Sequence, residues 1–442
     1  GATSQRVLMF PWQAEGHISP FLNLAKQLAD RGFLIYVCNT RINLESIKKK
    51  ITEKYAFSIH LIELTLPELP ELPSHLHTTN GLPPHLNATL HKALKMSKGN
   101  FSRQSENIRA DLLISDVLQP WSEQVANEQG VPAGKLLTSC AAVFAYMFSF
   151  RKNPGVEFPF PAISLPEVEK VKLYEALNRL PEELGRLMEA NAQMMLMCTS
   201  RTIEAKYIDY CAKLANWQVV PVGPPFQDLI MNDASNKELM DWLGTKPPNS
   251  TVFVSFGSEY FLSKEDMEEV AFALELSGSN FIWVARFPKG EERSLEDALP
   301  KGFSERAGER GRVVDKFAPQ PRILSHPSTG GFISHCGWNS AMEAIDFGVP
   351  IIAMPQHNDQ PINAKLMVEL GVAVEVVRDD DGRIHRGEAA ETIRSVVTGP
   401  TGEILRANCR ELARRLKSAR DVEMDAVAEE LRALCRNSSK SK

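Results

Sequence analysis

The chain has 442 residues, 43% hydrophobic and 24% charged, which is too long for one core and too apolar for disorder, so two domains are expected. A formal charge of −5 supplies no broad cationic face for a polyanion, so nucleic acid is set aside as a partner. Seven scattered cysteines without a CxxC pair read as reduced thiols, no charged and apolar leader opens the chain, and the longest apolar run, Cys140 to Phe150, is too short for a bilayer; a cytoplasmic monomer with no membrane span is the expectation.

In chain order, "RVLMF" reads as a strand, "PWQAEGH" as a loop, and "ISPFLNLAKQLADRG" as a helix with Leu22, Ala25, Leu28 and Ala29 at helical spacing. "FLIYVCN", "DLLISDV" and "PAGKLLTS" are short apolar runs of the kind buried in a parallel sheet. Val219 to Glu238, rich in Pro, Asn and Asp, reads as an interdomain linker. Beyond it come "STVFVSFGS", a helix ending at Gly278, "NFIWVAR", "GRVVDKF", "GGFISH" and "GVPIIAMP", strands alternating with helical patterns. The fold class is therefore α/β: two Rossmann-like, doubly wound domains facing across a cleft, residues 1–222 and 241–442, joined by 223–240, with the last helix packing back on the first domain. "RANCRELARRLKSAR" reads as a solvated helix face, and "DDDG" at Asp379 to Gly382 as a turn more than a carboxylate metal cluster. No convincing metal-ligand set is present in the sequence.

Ligands of open α/β sheets bind beyond the carboxyl ends of the strands, and the residues there are polar. "HCGWNSAMEAIDFG" places His335 at a strand end and Asn339 and Ser340 at a helix start, where backbone N–H groups and the helix dipole favour a phosphate. Ser340 and Glu343 also match a capping box, S-x-x-E, which would satisfy only their own helix. Asp359 and Gln360 follow the next strand and suit the hydroxyls of a sugar. Phe317 and Gln320 in "FAPQ" offer an aromatic face beside an amide, although Phe317 alone reads more often as core, and Cys336 and Trp338 read also as plain packing. In the first domain His17 opens the first helix, where a neutral imidazole can accept a proton, and Asp116 ends the apolar strand "LLIS", where a carboxylate can orient a histidine.

The 44 residues from Phe317 to Gln360, "APQ…ILSH…GGF…HCGWNS…E…GVP…P…DQ", resemble the nucleotide-sugar signature box of plant secondary-product UDP-glycosyltransferases, and the resemblance extends over essentially the whole chain. It implies GT-B architecture and an inverting transfer in which His17 is the base and Asp116 its support, with no covalent intermediate, cofactor or metal. By the same resemblance Phe317 stacks on uracil, Ala318 and Gln320 contact the base, and Glu343 clamps the ribose. His335, Asn339, Ser340 and Ser258 hold the diphosphate, Trp338, Asp359 and Gln360 hold the sugar, and Thr138 contacts the donor. The family box begins with Trp where this chain has Phe317, so less stacking area is expected. The final Gln360 goes with UDP-glucose as donor.

"FPW.A.GHISPFL.LAK.LA.RGF" and "SFGSEYFLS" are similar to the branch-forming subgroup that adds a sugar to a small-molecule glycoside. The acceptor is then expected against Glu15, Phe144 and Met147, with Pro67 to Leu86 and Ala141 to Phe150 as lining; these two segments read equally as surface loop and buried helix. The alternatives are transfer to an aglycone hydroxyl and a non-catalytic UDP-sugar-binding protein. An oxidoreductase is disfavoured because no G-x-G-x-x-G follows a candidate strand.

Overall fold

The computed structural model describes residues 4–179, 194–225, 236–287, 291, 293–316 and 318–439. They form two parallel sheets. The first comprises β1 (Arg6–Phe10), β2 (Leu34–Asn39), β3 (Ile59–Glu63), β4 (Leu112–Asp116), β5 (Ala133–Leu137), β6 (Met194–Met197) and β7 (Gln218–Pro221), in the order β3-β2-β1-β4-β5-β6-β7. The second comprises β8 (Thr251–Ser255), β9 (Asn280–Val284), β10 (Gly311–Val314), β11 (Thr329–Ser334), β12 (Ile351–Ala353) and β13 (Ala373–Glu375), in the order β10-β9-β8-β11-β12-β13. In both, the order reverses between the sheet's first and fourth strands, β1 beside β4 and β8 beside β11. That reversal opens a crevice at the strands' carboxyl ends.

The strands form where apolar runs can be covered on both faces: Leu112 to Ile114 and Val252 to Val254 are each within 1% of full burial. Helices supply the cover. In the Glu15–Ala29 helix, Phe21, Ala25 and Leu28 are fully buried at helical spacing, and Ile18, Leu22 and Leu24 nearly so. Pro20 inside it forfeits a backbone bond at about 3 kcal/mol. Five large buried side chains at about 1.5–3 kcal/mol each outweigh that cost, so the helix persists.

The described residues group into two compact units. One draws on residues 1–156, 180–225 and 416–442, the other on 157–179 and 226–415. The units are thus discontinuous in sequence. Val219 to Pro221, assigned to the linker, belong instead to β7, because two valines beside Met195 and Leu196 of β6 extend the sheet. Residues 226–235 of the linker lie outside the described residues, and the Lys237–Gly244 helix follows them. The "DDDG" segment is a turn: Asp379 Oδ1 accepts from the Asp381 and Arg383 amides at 3.0 and 2.8 Å. All seven cysteines are buried, and none is in a disulfide.

Candidate active site

In the first unit β1 delivers the chain to the loop of residues 11–14, and the Glu15–Ala29 helix starts at once, setting His17 in its first turn. His17 Nδ1 lies 2.8 Å from Asp116 Oδ2 at the end of β4. The carboxylate is fully buried, yet three donors meet it: the ring, the Trp12 amide at 3.0 Å on Oδ2, and the Leu118 amide at 3.0 Å on Oδ1. Backbone donors of this kind fix the carboxylate before it acts on the ring. With Nδ1–H donating to Asp116, Nε2 is left as the acceptor of the imidazole. Thr138 Oγ1, just beyond β5, is 3.2 Å from the same Nδ1, so three residues separated by up to 121 positions converge.

Two buried groups that sequence reasoning missed hold this arrangement. Gln13, fully buried, accepts at Oε1 from Asn43 Nδ2 (2.9 Å) and Thr40 Oγ1 (3.1 Å), while its backbone carbonyl accepts from the Thr79 amide at 2.9 Å. The segment around Thr79, expected as acceptor lining, is thereby tied to the loop that precedes His17. Glu204, also fully buried, accepts from the Ala141 and Ala142 amides at 3.0 and 2.8 Å and from Thr199 Oγ1, and so caps the Ala141–Lys152 helix just beyond Thr138. Burial pushes its carboxyl pKa up against the pull of those donors. Phe144 and Met147 occupy the less buried positions of that helix, and the Phe144 ring lies 6.0 Å from Phe148. Glu15 is exposed and ion-paired with Lys50.

In the second unit β11 leads into a turn in which Cys336 takes φ 64°, a left-handed conformation that costs a non-glycine residue strain. The turn is held by the Cys336 amide donating to Ser334 Oγ (3.0 Å) and by Asn363 Nδ2 donating to the Cys336 carbonyl (2.9 Å). Gly337 is the N-cap of the Trp338–Asp346 helix, so Ser340 stands at its third position and the S-x-x-E pair does not cap it. Instead Gln320 Nε2 bridges Ser340 Oγ (3.2 Å) and Glu343 Oε1 (3.1 Å), gathering three sequence-predicted residues in one cluster. Burial raises the Glu343 pKa to about 7, opposed by the Gln320 bond and reinforced by Asp346.

The His335 ring fills a slot between two glycines. A Cβ at Gly257 would stand 2.8 Å from Nε2, and one at Gly337 would stand 2.6 Å away. Burial, with His357 nearby, lowers its pKa to about 4, so it is a neutral donor near pH 7. Trp338 is buried, 3% exposed as a whole residue. Asp359 accepts from Asn363 Nδ2 at 3.2 Å, and Gln360 Oε1 accepts from the Gln356 and His357 amides at 3.0 and 3.1 Å, so what Gln360 has left to offer is its N–H₂. Ala318 is buried, Ser258 is part-exposed beyond β8, and Phe317 lies outside the described residues. The signal for Asn363 was absent from the motif, since it acts from within a helix and its bond to the Cys336 carbonyl spans 27 positions. Among the described residues no group of three His, Cys, Asp or Glu side chains gathers as a metal-ligand set, and no helix is long and apolar enough to cross a membrane.

Comparison with known proteins gives these two sites a context. Residues 4–225 match the model of the glycosyltransferase N-terminal domain, and residues 230–400 match that of UDP-glucuronosyl and UDP-glucosyl transferases. The chain is 49% identical over 442 residues to a beta-D-glucosyl crocetin beta-1,6-glucosyltransferase of Gardenia jasminoides, covering 98% of this chain and 100% of that one. It is 48% identical to a mogroside IIIx synthase of Siraitia grosvenorii, covering 95% and 96%. Among solved structures, Phytolacca americana UGT2 complexed with UDP-2-fluoro-glucose and pterostilbene superposes with TM-score 0.77 at 26% identity, over 98% of this chain and 100% of that one. A Siraitia grosvenorii transferase in complex with UDP gives 0.77 at 27%, over 97% and 99%. With the GT-B pair of Rossmann-like domains and relatives matched end to end, the chain belongs to the plant family of UDP-dependent glycosyltransferases and is a UDP-glycosyltransferase.

Proposed function

We propose that the enzyme moves glucose from UDP-glucose to a sugar hydroxyl of a small-molecule glycoside, with inversion and without a metal. The observation that carries the chemistry is His17, whose Nδ1 is committed to a buried carboxylate at 2.8 Å and whose Nε2 is therefore presented as a base. The acceptor O–H gives its proton to Nε2 as the oxygen bonds to the anomeric carbon. The bond from that carbon to the β-phosphate oxygen breaks, and UDP leaves with the electron pair. Asp116 stabilises the imidazolium so formed, and Thr138 lies beside the ring to contact the donor.

Glu343 and Gln320 hold the nucleoside with Ala318 and Phe317. His335, Asn339, Ser340 and Ser258 hold the diphosphate at the helix start, and Trp338, Asp359 and Gln360 hold the sugar. Support for glucose and for a glycosylated acceptor comes from the Gardenia relative, whose name specifies a glucosyl substrate and a 1,6-glucosyl transfer. Phe144 and Met147, on the open face of their helix, suit an apolar aglycone, and Glu15 is assigned to the acceptor by resemblance.

The test is mass spectrometry of products from UDP-glucose with aglycones and their monoglucosides in parallel, with and without EDTA, using wild type and His17→Ala. One added hexose on the glucosides, unaffected by EDTA and reduced by about 10²–10⁴-fold in the variant, is expected. Transfer to the aglycones would overturn the acceptor assignment, and undiminished transfer by His17→Ala would overturn the base.

A further inference from the structure

Beyond β9, on the same carboxyl-end rim as His335, Arg286 borders a shallow recess open to solvent, whose wall includes Phe256, Gly257, Tyr260, Trp283 and Phe287. Its guanidinium is part-buried and meets no carboxylate among the described residues. Three other arginines of this unit are paired with carboxylates: Arg378 with Asp266 at 3.5 Å, Arg386 with Glu269 at 2.6 Å, and Arg306 with Glu275 at 2.5 Å. Glu291, close in sequence, is taken by Arg293 at 3.3 Å. Burial without a counter-charge makes the Arg286 cation costly, and lowers its pKa accordingly.

A second, independent donor borders the recess. Trp283 is fully buried, and its indole N–H has no hydrogen-bond partner among the described residues. An arginine with no carboxylate beside it, in a wall that also carries this unpartnered indole and no acidic side chain, describes a site for an anion. The residues assigned to the diphosphate lack what this recess has: His335 is neutral near pH 7, and Asn339, Ser340 and Ser258 carry no charge. Gly257 connects the two, since its missing side chain admits the His335 ring and it also lines the recess.

We propose that Arg286 binds the diphosphate of the UDP-sugar, supplying the positive charge that the helix start and neutral His335 do not. This rests on the placement of the diphosphate at His335 proposed above. Guanidinium suits the role because it stays protonated and can donate two parallel bonds to one phosphate.

Calorimetric titration of the full chain with UDP and with uridine separates the charge contact from nucleoside binding. Arg286→Gln is expected to lose about tenfold or more in UDP affinity with uridine binding unchanged, and Arg286→Lys to recover part of the loss. An equal loss for uridine, or unchanged UDP binding with a raised acceptor KM, would overturn the assignment, the latter placing the Arg286 anion on the acceptor. Should Arg286→Gln not fold, the UDP-to-uridine affinity ratio of Arg286→Lys decides in the same way. A His335→Ala protein that binds UDP as wild type does would instead sink the underlying diphosphate placement, independently of Arg286.

Discussion

Glu343 is a carboxyl group made into a weak acid by its surroundings: 4% exposed, it has Gln320 as a donor and a pKa lifted to about 7. The folded state therefore holds its proton more tightly than the unfolded chain, where a glutamate titrates near 4.3. Its contribution to stability is greatest below about pH 4.3, declines as pH rises toward 7, and is level above. Ribose hydroxyls need an acceptor, so UDP affinity should run the other way, rising up to about tenfold between pH 6 and pH 8 as the carboxylate forms. Titrations across that range check it, with Glu343→Gln expected to flatten the profile; a flat wild-type profile would remove Glu343 from the ribose contact.

At the scale of elements, the two sheets put different chemistry at the same topological position. Where the first unit reverses strand order, the loop after β1 and the end of β4 bring His17 to Asp116; where the second does, the loop after β8 and the turn after β11 bring Gly257 to His335. The second arrangement is a steric fit and can be tested as one. Gly257 has φ 78°, so an alanine there would suffer backbone strain as well as the clash. Gly337 has φ −57° and ψ 140°, which any residue adopts, so Gly337→Ala isolates the clash. Displacing the ring should cost UDP affinity roughly tenfold, on the scale of about 1–3 kcal/mol for overpacking. Gly387→Ala, with nothing within 4 Å of the new methyl, is the control expected to bind normally.

Elements were legible where a motif is contiguous. The strand, turn and helix around His335 follow from apolar run, glycine and helical spacing, all within the one stretch from Thr329 to Asp346. Supports that arrive from elsewhere were not legible: Glu204 caps a helix 62 and 63 positions earlier, and Asn363 reaches back 27 to Cys336. Short strands escaped too, because β6 is four residues of Met and Leu and β13 only three residues, too brief for any periodicity.

For the whole molecule, the discontinuity of the first unit matters most. Residues 416–442 group with it, and Leu416, Met424, Val427 and Leu431 are buried to 3% exposure or less. Arg31 reaches Asp425 at 2.8 Å, and Ser200 Oγ reaches Glu423 at 2.6 Å. Four such side chains at about 1.5–3 kcal/mol each amount to much of the roughly 5–15 kcal/mol that holds a domain folded. A chain ended after Arg415 is therefore expected to lose the first unit although residues 1–225 are intact. Limited proteolysis would show it as new cleavage within 1–156, and an unchanged digestion pattern there would contradict it.

The same arrangement imposes an order on synthesis. Most of the first unit is made by residue 225, but its closing segment leaves the ribosome only after the entire 226–415 unit. At about 5–20 residues per second the wait is roughly 10–40 s. For that interval the side on which Met424, Val427 and Leu431 will settle stays bare, so the first domain to be translated is the last to be finished.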